Sequence, residues 1–523
     1  MKKFITFALL AAMMLTMIVV GTSAAAWDGT TSTAFTGEGT EASPYLIASA
    51  ENLKSLQEQV AAGNNYEGKY FTQTADIDLG GKEWTPIGKS ATPFSGVYNG
   101  CGFKVTGLSI TNKDTDITGL FGYVQSQGVD MGIANLTVEG AITIDAGTKT
   151  DNGIGGLVGQ VQKSGVSYAK RAYIINCVSD VDITLTNCTT QPRVGGFAGY
   201  GFYAIFENCV NNGNVTVTTT ATTRVAGFVG QTNSSTYKDC VNNGNVTVTI
   251  NGAAVSRACG MTSVITVGPA ADALYTEFIS CVNNGDIVNT VTGTANAYTA
   301  GIAGDVYPAS GTSVRIKITN CVNTGDLTGN TATENPSNAT YYTHTGGIGA
   351  YFGNNNKDIY ITGCVNTGAI AYTSHAAAQN RSSGLMGSIY CPNVTTQFEL
   401  NNCISTSTIK SGTWNIGYSV DSGAYRDAQF ATCVENADAA VAAAAIKTIT
   451  DAIVPSTYKI AGFDTAYKAP AAPETTAPTA PETTAPSTPS TPSNPSTGDV
   501  TSVILLALVA ACAGAVITIK KTK

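Results

Sequence analysis

Charged residues are scarce in this chain of 523 residues: Lys, Arg, Asp and Glu together make up 12% of it, against 43% hydrophobic residues. This composition argues against a disordered chain and against a coiled coil. The formal net charge is -8, so the chain lacks the positive charge that attracts nucleic acid or an anionic membrane surface. Nucleic acid is therefore excluded as a partner.

Histidine is scarcer still, since the chain contains two, His344 and His375. The sequence has no HExxH motif and no metal-type CxxC spacing. A zinc peptidase centre and a cysteine zinc site therefore have no support. We predict that the protein uses no metal and no cofactor. Small residues are abundant instead: 56 Gly, together with Thr, Asn, Ala and Val, give a composition that favours β-structure over helix.

Two motifs recur through the middle of the chain with the same spacing. The first is a cysteine in contexts such as NCVNNGNVTV, and successive copies are 31 to 43 residues apart. The second is a Gly-x-x-Gly segment between these cysteines, with a degenerate copy at Gly260. The repeated cysteines are Cys177, Cys209, Cys240, Cys281, Cys321, Cys364 and Cys403. The leading glycines of the second motif are Gly119, Gly156, Gly196, Gly227, Gly301, Gly347 and Gly384.

Repeats of this length that contain short β segments predict a solenoid, because a single unit cannot bury a face alone. We interpret the NNG and NTG stretches as turns, since Asn and Gly tolerate positive φ. The predicted fold class is all-β: a parallel, right-handed β-helix of about ten coils, roughly 50 Å long at about 4.8 Å per coil. A propeller is the main rival, and the unequal repeat spacing counts against it.

The predicted solenoid occupies residues 68–432. Residues 27–67 lead into it and contain a short amphipathic helix, from about Ala50 to Ala62, that should cover the exposed first coil as an N-terminal cap. Residues 433–468 are expected to form the C-terminal cap.

The two ends of the chain contain targeting and anchoring signals, and we do not expect them to belong to the folded domain. Residues 1–26 have the charged, apolar and small-residue regions of a secretory signal peptide. Residues 469–493 form a Pro/Thr-rich tract that should be extended and stiff, as a wall spacer requires. Residues 494–523 contain NPSTG, an apolar span from Val503 to Ile519 and a basic tail. An ordinary transmembrane anchor is the alternative interpretation of this last segment.

The C-terminal segment resembles the sorting signal of Gram-positive surface proteins. The resemblance implies that a sortase cuts after Thr497 and links this residue to peptidoglycan, which makes sortase and peptidoglycan the implied partners. The usual pentapeptide begins with Leu, whereas this one begins with Asn, so the sortase class stays open. The signal residues are Asn494, Pro495, Ser496, Thr497 and Gly498.

Roughly residues 40–430 resemble bacterial surface proteins with GLUG-motif repeats, which are named for segments such as GLVG at Gly156. The N-terminal stretch PYLIASAENLKSLQEQVAAG also looks like the beginning of that group's repeat region. Some larger relatives include zinc peptidase domains. The chain lacks their HExxH motif, so the resemblance does not extend to that activity.

The seven repeat cysteines occupy one position of the unit, so in a β-helix they would form a row. The residue three positions before each cysteine is usually apolar and should point inward. Strict alternation of side chains along the strand would then point the cysteine outward. A corner at the residue before the cysteine, often Asn, would turn the thiol inward. We favour this inward ladder, because Cys behaves as a small buried hydrophobe. Functional thiols and a disulfide framework are the alternatives in a secreted protein.

Candidate reactive or binding side chains are few. Two carboxylate pairs, Asp76 with Asp78 and Asp180 with Asp182, could each share a strand face, as carboxylates do in glycan-cleaving β-helix enzymes. An insertion from about Asn335 to Thr345, and the residues after it, carry tyrosines that could stack on sugars or anchor a protein partner. These tyrosines are Tyr341, Tyr342, Tyr351 and Tyr360.

These observations predict a secreted protein, covalently anchored to the cell wall, that acts as an adhesin or interaction stalk for an extracellular glycan or protein. We assign no catalytic residues. The alternative is a carbohydrate-active β-helix enzyme, a lyase or hydrolase, which three or more carboxylates converging in one groove would favour. A third interpretation is a passive component of the wall or surface layer.

Overall fold

The structure is a computed structural model, and it describes residues 27–453 apart from 32–34, 113–116, 127–130, 148–152, 163–170, 267–273, 294, 307–314, 332–341, 354–357, 374–379, 392–397, 408–412 and 417–431. The predicted signal peptide, wall spacer and sorting signal lie outside the described residues, as do His375 and Tyr341. The described part consists mainly of short strands in four sheets, here labelled A to D in the order in which one turn of the chain passes through them.

The strands within each sheet pair in parallel, so the four sheets run side by side along one axis. Sheet A contains Tyr45–Ile47, Tyr70–Gln73, Val97–Asn99, Met131–Ala134, Ala172–Ile175, Ala204–Glu207, Thr236–Lys238, Thr276–Ile279, Ile316–Thr319, Ile359–Thr362 and Phe398–Asn401. Sheet B contains Ile77–Asp78, Lys104–Ile110, Thr137–Asp145, Val178–Cys188, Val210–Asn211, Val215–Thr219, Val241–Asn242, Val246–Ile250, Val282–Asn283, Ile287–Val291, Val322–Asn323, Leu327–Thr331, Val365–Asn366, Ile370–Thr373 and Ile404–Ser405. Sheet C contains Gly153–Gly155, Arg193–Gly195, Arg224–Ala226, Ser256–Cys259, Ala297–Ala300, Thr343–Gly346 and Asn380–Ser383. Sheet D contains Phe121–Val124, Val158–Val161, Ala198–Phe202, Val229–Asn233, Thr262–Ile265, Ala303–Val306, Gly349–Gly353, Met386–Cys391 and Thr413–Ile416.

Successive turns of the chain stack in register. The turn that begins at Ala204 passes through all four sheets before the next turn begins at Thr236. The two turns pair strand by strand, with Phe206 opposite Tyr237 and Val215 opposite Val246. Equivalent residues of successive repeats therefore stand in columns along the axis, and the predicted parallel β-helix is confirmed.

A helix, α1 (Ala50–Ala61), follows the first strand of sheet A, where later turns pass through the other sheets. The Ser49 side chain caps its first turn by accepting a hydrogen bond from the Asn52 N–H. Its apolar residues Leu53, Leu56 and Val60 are fully buried and belong to the same core cluster as the strands. This agrees with the predicted capping helix, which shields the end of the core from water.

A second helix, α2 (Ala439–Asp451), lies within the predicted C-terminal cap segment. Its residues Ala442 and Ile449 pack with Val282, Val322 and Val365, which follow the repeat cysteines on the outward face of sheet B. The helix thus covers a column of valines along the side of the β-helix. Within the part of the chain that the structure describes, no helix has both the length and the apolar character needed to cross a membrane.

The chain turns a corner just before each repeat cysteine. The preceding residue adopts positive φ in every repeat: Asn176, Asn208, Asp239, Ser280, Asn320, Gly363 and Asn402, with φ between 52° and 67°. This left-handed residue breaks the strand alternation and turns the thiol inward, so all seven repeat cysteines are fully buried in the main core. The inward ladder is confirmed, and the cysteines within the described ranges whose side chains are placed are unpaired thiols.

The NNG and NTG stretches are more than turns. Their first Asn is fully buried, ends a strand of sheet B and points inward, two residues after the repeat cysteine. Each of these side chains donates to a carbonyl two residues later, and all but the last also donate to the amide oxygen of the equivalent Asn in the next turn, at 2.7–2.9 Å. This buried asparagine ladder consists of Asn211, Asn242, Asn283, Asn323 and Asn366. The prediction of positive φ at these stretches was wrong, because the left-handed residue is the one before the cysteine.

The asparagine ladder explains why the two sequence motifs keep the same cadence. The leading glycine of the Gly-x-x-Gly segment lies against a ladder amide across the coil. A Cβ atom at Gly301 would lie 2.4 Å from Cγ and Oδ1 of Asn323 and 2.4 Å from the carbonyl oxygen of Gly347. The glycine is thus required by the close approach of a buried side chain and of the next turn's backbone.

Candidate functional site

The first predicted carboxylate pair has a structural role. Asp76 Oδ1 accepts a hydrogen bond from the backbone N–H of Lys104 at 2.8 Å, and Asp78 Oδ1 accepts one from the N–H of Gly80 at 2.8 Å. Each carboxylate therefore satisfies a backbone donor at a turn, a common use of Asp. The pair brings no reactive groups together.

The second pair, Asp180 and Asp182, also binds the neighbouring turn of the β-helix. Asp180 accepts a hydrogen bond from the Asn212 side chain, and Asp182 Oδ1 accepts one from the backbone N–H of Asn214 at 2.8 Å. Later turns repeat both contacts with Asn, Asp and Thr side chains. These carboxylates therefore belong to exposed columns that join the turns.

The structure divides the predicted tyrosines between two surfaces. The rings of Tyr342 and Tyr351 lie on one surface, with centroids 5.8 Å and 5.0 Å from that of His344. Tyr360 lies in sheet A, with its ring centroid 6.3 Å from that of Tyr275. The cluster around His344 therefore becomes the stronger candidate site.

His344 belongs to a column of large polar side chains along sheet C. Strand register places Arg193 opposite Arg224, Tyr298 opposite Arg257 and His344, and Arg381 opposite His344. The register of the intervening strands brings Arg224 and Arg257 into the same column. Residues that alternate with this column, such as Val194 and Ala258, belong to the main core, so the column points outward.

A second column, on sheet D, faces the first across the corner made by the Gly-x-x-Gly segment. Side chains of the two columns contact each other, as Arg257 does Asp305, so the columns form one outward-facing surface of the β-helix. Small residues pack with Tyr298 in a cluster separate from the main core: Cys259, Ala300 and Ala350. We call the side chains of these two columns, together with Tyr342, the arginine band: Arg193, Arg224, Arg257, Tyr298, His344 and Arg381 from sheet C, and Tyr200, Gln231, Val264, Asp305, Tyr351 and Ser388 from sheet D.

At one end of the arginine band, two arginines converge on one glutamine. Arg193 Nε donates to Gln231 Oε1 at 2.6 Å, and Arg224 donates to the same oxygen. Gln231 Nε2 in turn donates to the hydroxyl oxygen of Tyr200 at 2.9 Å. The Arg193 guanidinium lies 4.8 Å from the centroid of the Tyr200 ring. This network fixes two guanidinium groups on a partly exposed surface.

In the middle of the band, Arg257 Nε forms an ion pair with Asp305 Oδ2 at 2.6 Å. The Asp305 side chain is 2% exposed, and its other oxygen, Oδ1, is buried without a hydrogen-bond partner among the described residues. The Arg257 guanidinium also lies 5.4 Å from the centroid of the Tyr298 ring. The buried Asp305 carboxylate therefore holds the Arg257 guanidinium in the middle of the band.

At the other end of the band, His344 stacks on Tyr298 with ring centroids 4.8 Å apart and an interplanar angle of 10°. Its Nδ1 lies 2.9 Å from Ser388 Oγ. The Arg381 guanidinium lies 3.5 Å from the centroid of the Tyr342 ring. Within the part of the chain that the structure describes, no three His, Cys, Asp or Glu side chains are arranged to hold a metal ion.

Burial, followed by the neighbouring Arg381 charge, lowers the pKa of His344 well below its usual 6.5. The imidazole is therefore neutral near pH 7. With His344 neutral, four arginines and one carboxylate give the band a net charge of 4 − 1 = +3, in a chain whose formal charge is -8.

The His344 shift predicts a pH dependence of stability. Its folded-state pKa is lowered, so below about pH 6.5 the unfolded chain takes up a proton that the folded chain does not. Stability is then fully present above pH 6.5 and falls with decreasing pH, by up to about 1.4 kcal/mol per pH unit from this group. Urea unfolding of the wild type and His344→Gln at pH 7.5, 6.0 and 5.0 measures the effect. We expect the variant to lose less stability on acidification, and parallel losses would contradict the assignment.

Sequence reasoning identified Tyr342 and Tyr351 but missed the rest of the arginine band, because successive members on sheet C are more than thirty residues apart. A signal for it does exist in the sequence. Each member on sheet C stands three residues before a leading glycine, as in RVGG at Arg193, RVAG at Arg224 and HTGG at His344. Aligning the repeats on the glycine would place these residues in one column.

No family model matches the chain. Among curated proteins, it is 36% identical over 129 residues to the "Putative Gly-rich membrane protein" of Evansella cellulosilytica, a match that covers 23% of the chain and 14% of the relative. It is 31% identical over 170 residues to halomucin of Haloquadratum walsbyi, covering 27% of the chain and 2% of the relative. The chain thus covers far less than two thirds of either relative. Among solved structures, a "putative immunoglobulin A1 protease" from Bacteroides ovatus matches with 17% identity and a TM-score of 0.40, over 60% of the chain and 86% of that structure.

Proposed function

We propose that the protein is a Gram-positive surface protein that a sortase anchors to the cell wall and that displays the β-helix as an adhesin or interaction stalk. Three sequence features support export followed by anchoring at the wall. They are a secretory signal at 1–26, a Pro/Thr spacer at 469–493 and NPSTG before an apolar span. The names of the two curated relatives, a membrane protein and halomucin, are compatible with a location at the cell surface.

The observation that carries the binding role is the arginine band. It places four partly exposed arginines, with the partly exposed Tyr342 and Tyr351, on one outward face that spans several turns of the β-helix. Buried core positions do not need such residues, and guanidinium and aromatic groups are the side chains that most often anchor ligands. A β-helix displayed at the cell surface would expose this face to the medium.

A glycan-cleaving role has less support than binding. The band contains one carboxylate, Asp305, which is buried and paired with Arg257. Retaining and inverting glycosidases usually use two carboxylates about 5–10 Å apart. The predicted Asp pairs lie elsewhere and bind backbone or Asn donors.

Cell fractionation tests the anchoring. We expect wild-type protein to be released from the producing cells by a peptidoglycan hydrolase and to resist extraction with hot detergent. Thr497→Ala removes the residue to which the wall would be joined, so the variant should leave the wall fraction almost completely. Ser496→Ala, next to the proposed cleavage site, is the matched control and should stay largely wall-bound. Detergent extraction of the wild type would instead identify a membrane anchor.

A further inference from the structure

The arginine band forms a line along the β-helix axis. Six positions of sheet C, from Arg193 to Arg381, follow one another in register. At about 4.8 Å per turn, the five steps between them span about 24 Å. A linear ligand that lies along the axis can contact the partly exposed arginines at both ends of this line, whereas a compact small molecule can contact only one end.

The band is also positively charged in an acidic protein. Its net charge of 4 − 1 = +3 contrasts with the formal charge of -8 for the whole chain. The charge resides in guanidinium groups, three of which lie over tyrosine rings: Arg193 over Tyr200, Arg257 over Tyr298 and Arg381 over Tyr342. A guanidinium that stacks on a ring still presents its in-plane N–H donors, which match the paired oxygens of a carboxylate or sulfate.

We propose that the arginine band binds a linear anionic polysaccharide, with its carboxylate or sulfate groups on the arginines and its sugar rings against the partly exposed Tyr342 and Tyr351. The inference rests on the proposed function, since it names the ligand class of the same displayed surface. The buried Asp305 carboxylate holds Arg257 in the middle of the line.

An acidic peptide fits the same surface less well. Peptides commonly bind β-structure by adding a strand to a sheet edge. The strands of sheet C that carry Arg224, Tyr298 and His344 already pair with the turns on both sides, so they offer no free edge.

Biolayer interferometry on the purified full chain tests the proposal. The immobilised probes are polygalacturonate (carboxylate), dextran sulfate (sulfate), unmodified dextran (neutral) and poly-glutamate (acidic peptide), all at 0.15 M NaCl. We expect binding to at least one anionic polysaccharide, at least tenfold stronger than binding to dextran or poly-glutamate. Comparison of the two anionic probes shows whether the band binds carboxylate or sulfate groups more tightly.

The decisive variant is the triple substitution Arg193→Gln, Arg224→Gln and Arg381→Gln, which leaves the buried Arg257 pair intact. The matched control removes the same charge elsewhere on the β-helix. It combines Lys104→Gln in sheet B, Lys317→Gln in sheet A and Arg315→Gln just before a strand of sheet A. We expect the band variant to weaken the Kd at least tenfold and the control less than threefold, with unchanged circular dichroism for both. If the band variant loses its fold, Arg381→Gln alone should still weaken binding at least threefold.

Equal losses in the band variant and the control would overturn the proposal, because the attraction would then follow overall charge. Absence of binding to both anionic polysaccharides would overturn it too, and stronger binding to poly-glutamate would favour a peptide ligand instead. None of these results bears on the wall attachment of Thr497, which fractionation measures separately. Loss of the anchoring with retained polysaccharide binding would overturn only the wall-anchored part of the proposed function.

Discussion

The substitution Asn283→Ala should lower the free energy of unfolding by about 3 kcal/mol. Asn283 is fully buried in the asparagine ladder, where it accepts a hydrogen bond from Asn242 Nδ2 at 2.8 Å and donates one to Asn323 Oδ1 at 2.8 Å. It also donates to the Gly285 carbonyl at 2.9 Å. Alanine leaves all three neighbouring groups without this partner, and water cannot readily replace it in the core.

The next residue supplies the control. Asn284 is exposed and makes a similar side-chain contact with the neighbouring turn, since its Nδ2 donates to Asn243 Oδ1 at 2.9 Å. Water can replace that bond, so Asn284→Ala should cost less than about 1 kcal/mol. Chemical denaturation of both variants measures the difference. Equal destabilisation would mean that the buried ladder contributes no more than an exposed one.

Gly301→Ala should be at least as damaging, with an expected loss of about 3 kcal/mol. The added Cβ would lie 2.4 Å from the Asn323 amide and 2.4 Å from the carbonyl oxygen of Gly347. The second contact involves backbone that is itself paired with neighbouring turns, so it can shift only if the stacking of turns changes. We expect a lower unfolding midpoint and earlier proteolysis near residue 301.

A double-mutant cycle separates the clash of the added Cβ with the Asn323 amide from its clash with the Gly347 carbonyl oxygen. Asn323→Ala removes the amide that would clash with the added methyl group, so Gly301→Ala with Asn323→Ala should be less destabilised than the sum of the single variants, by about 1 kcal/mol or more. Strict additivity of the two losses would show that the amide and this glycine do not constrain each other.

Much of the fold could be predicted from the cadence of two motifs. Cysteines and glycines recurring at 31 to 43 residues indicate stacked units, whatever the length of the connections. The inward direction of Cys209 followed from the corner at Asn208, and the capping helix followed from the amphipathic pattern that includes Leu53 and Leu56. These features are local, so a single repeat already encodes them.

The buried asparagine ladder could not be predicted in the same way. Within one repeat, NNG has the composition of a turn. Asn242 is stable in the core only because Asn211 and Asn283 stand above and below it in register, and no single repeat contains that information. The position of α2 along the side of sheet B could not be predicted for the same reason, since it depends on valines from three different turns.

The arginine band was overlooked for a related reason. Tyr342 and Tyr351 stand out because they are close in sequence, whereas Tyr298, whose ring centroid lies 5.6 Å from that of Tyr351, and Arg257, which lies over Tyr298, come from preceding turns. The Asp pairs were named only as candidates, and the structure gives them a structural role. Spacing of two residues places carboxylates on one strand face, but it does not reveal the backbone and Asn donors that the next turn supplies.

The central claim is that consecutive repeats stack in register, so that equivalent residues form columns along one axis. Thr143 and Thr328 are five turns apart in one column of sheet B, through Thr184, Thr216, Thr247 and Val288. Spin labels attached at both positions through unnatural amino acids, which spares the native thiols, allow their distance to be measured by dipolar electron paramagnetic resonance. We predict a single narrow distribution centred at about 24 Å, five times the spacing between adjacent strands. A broad distribution, or a centre beyond about 40 Å, would contradict the stacked β-helix.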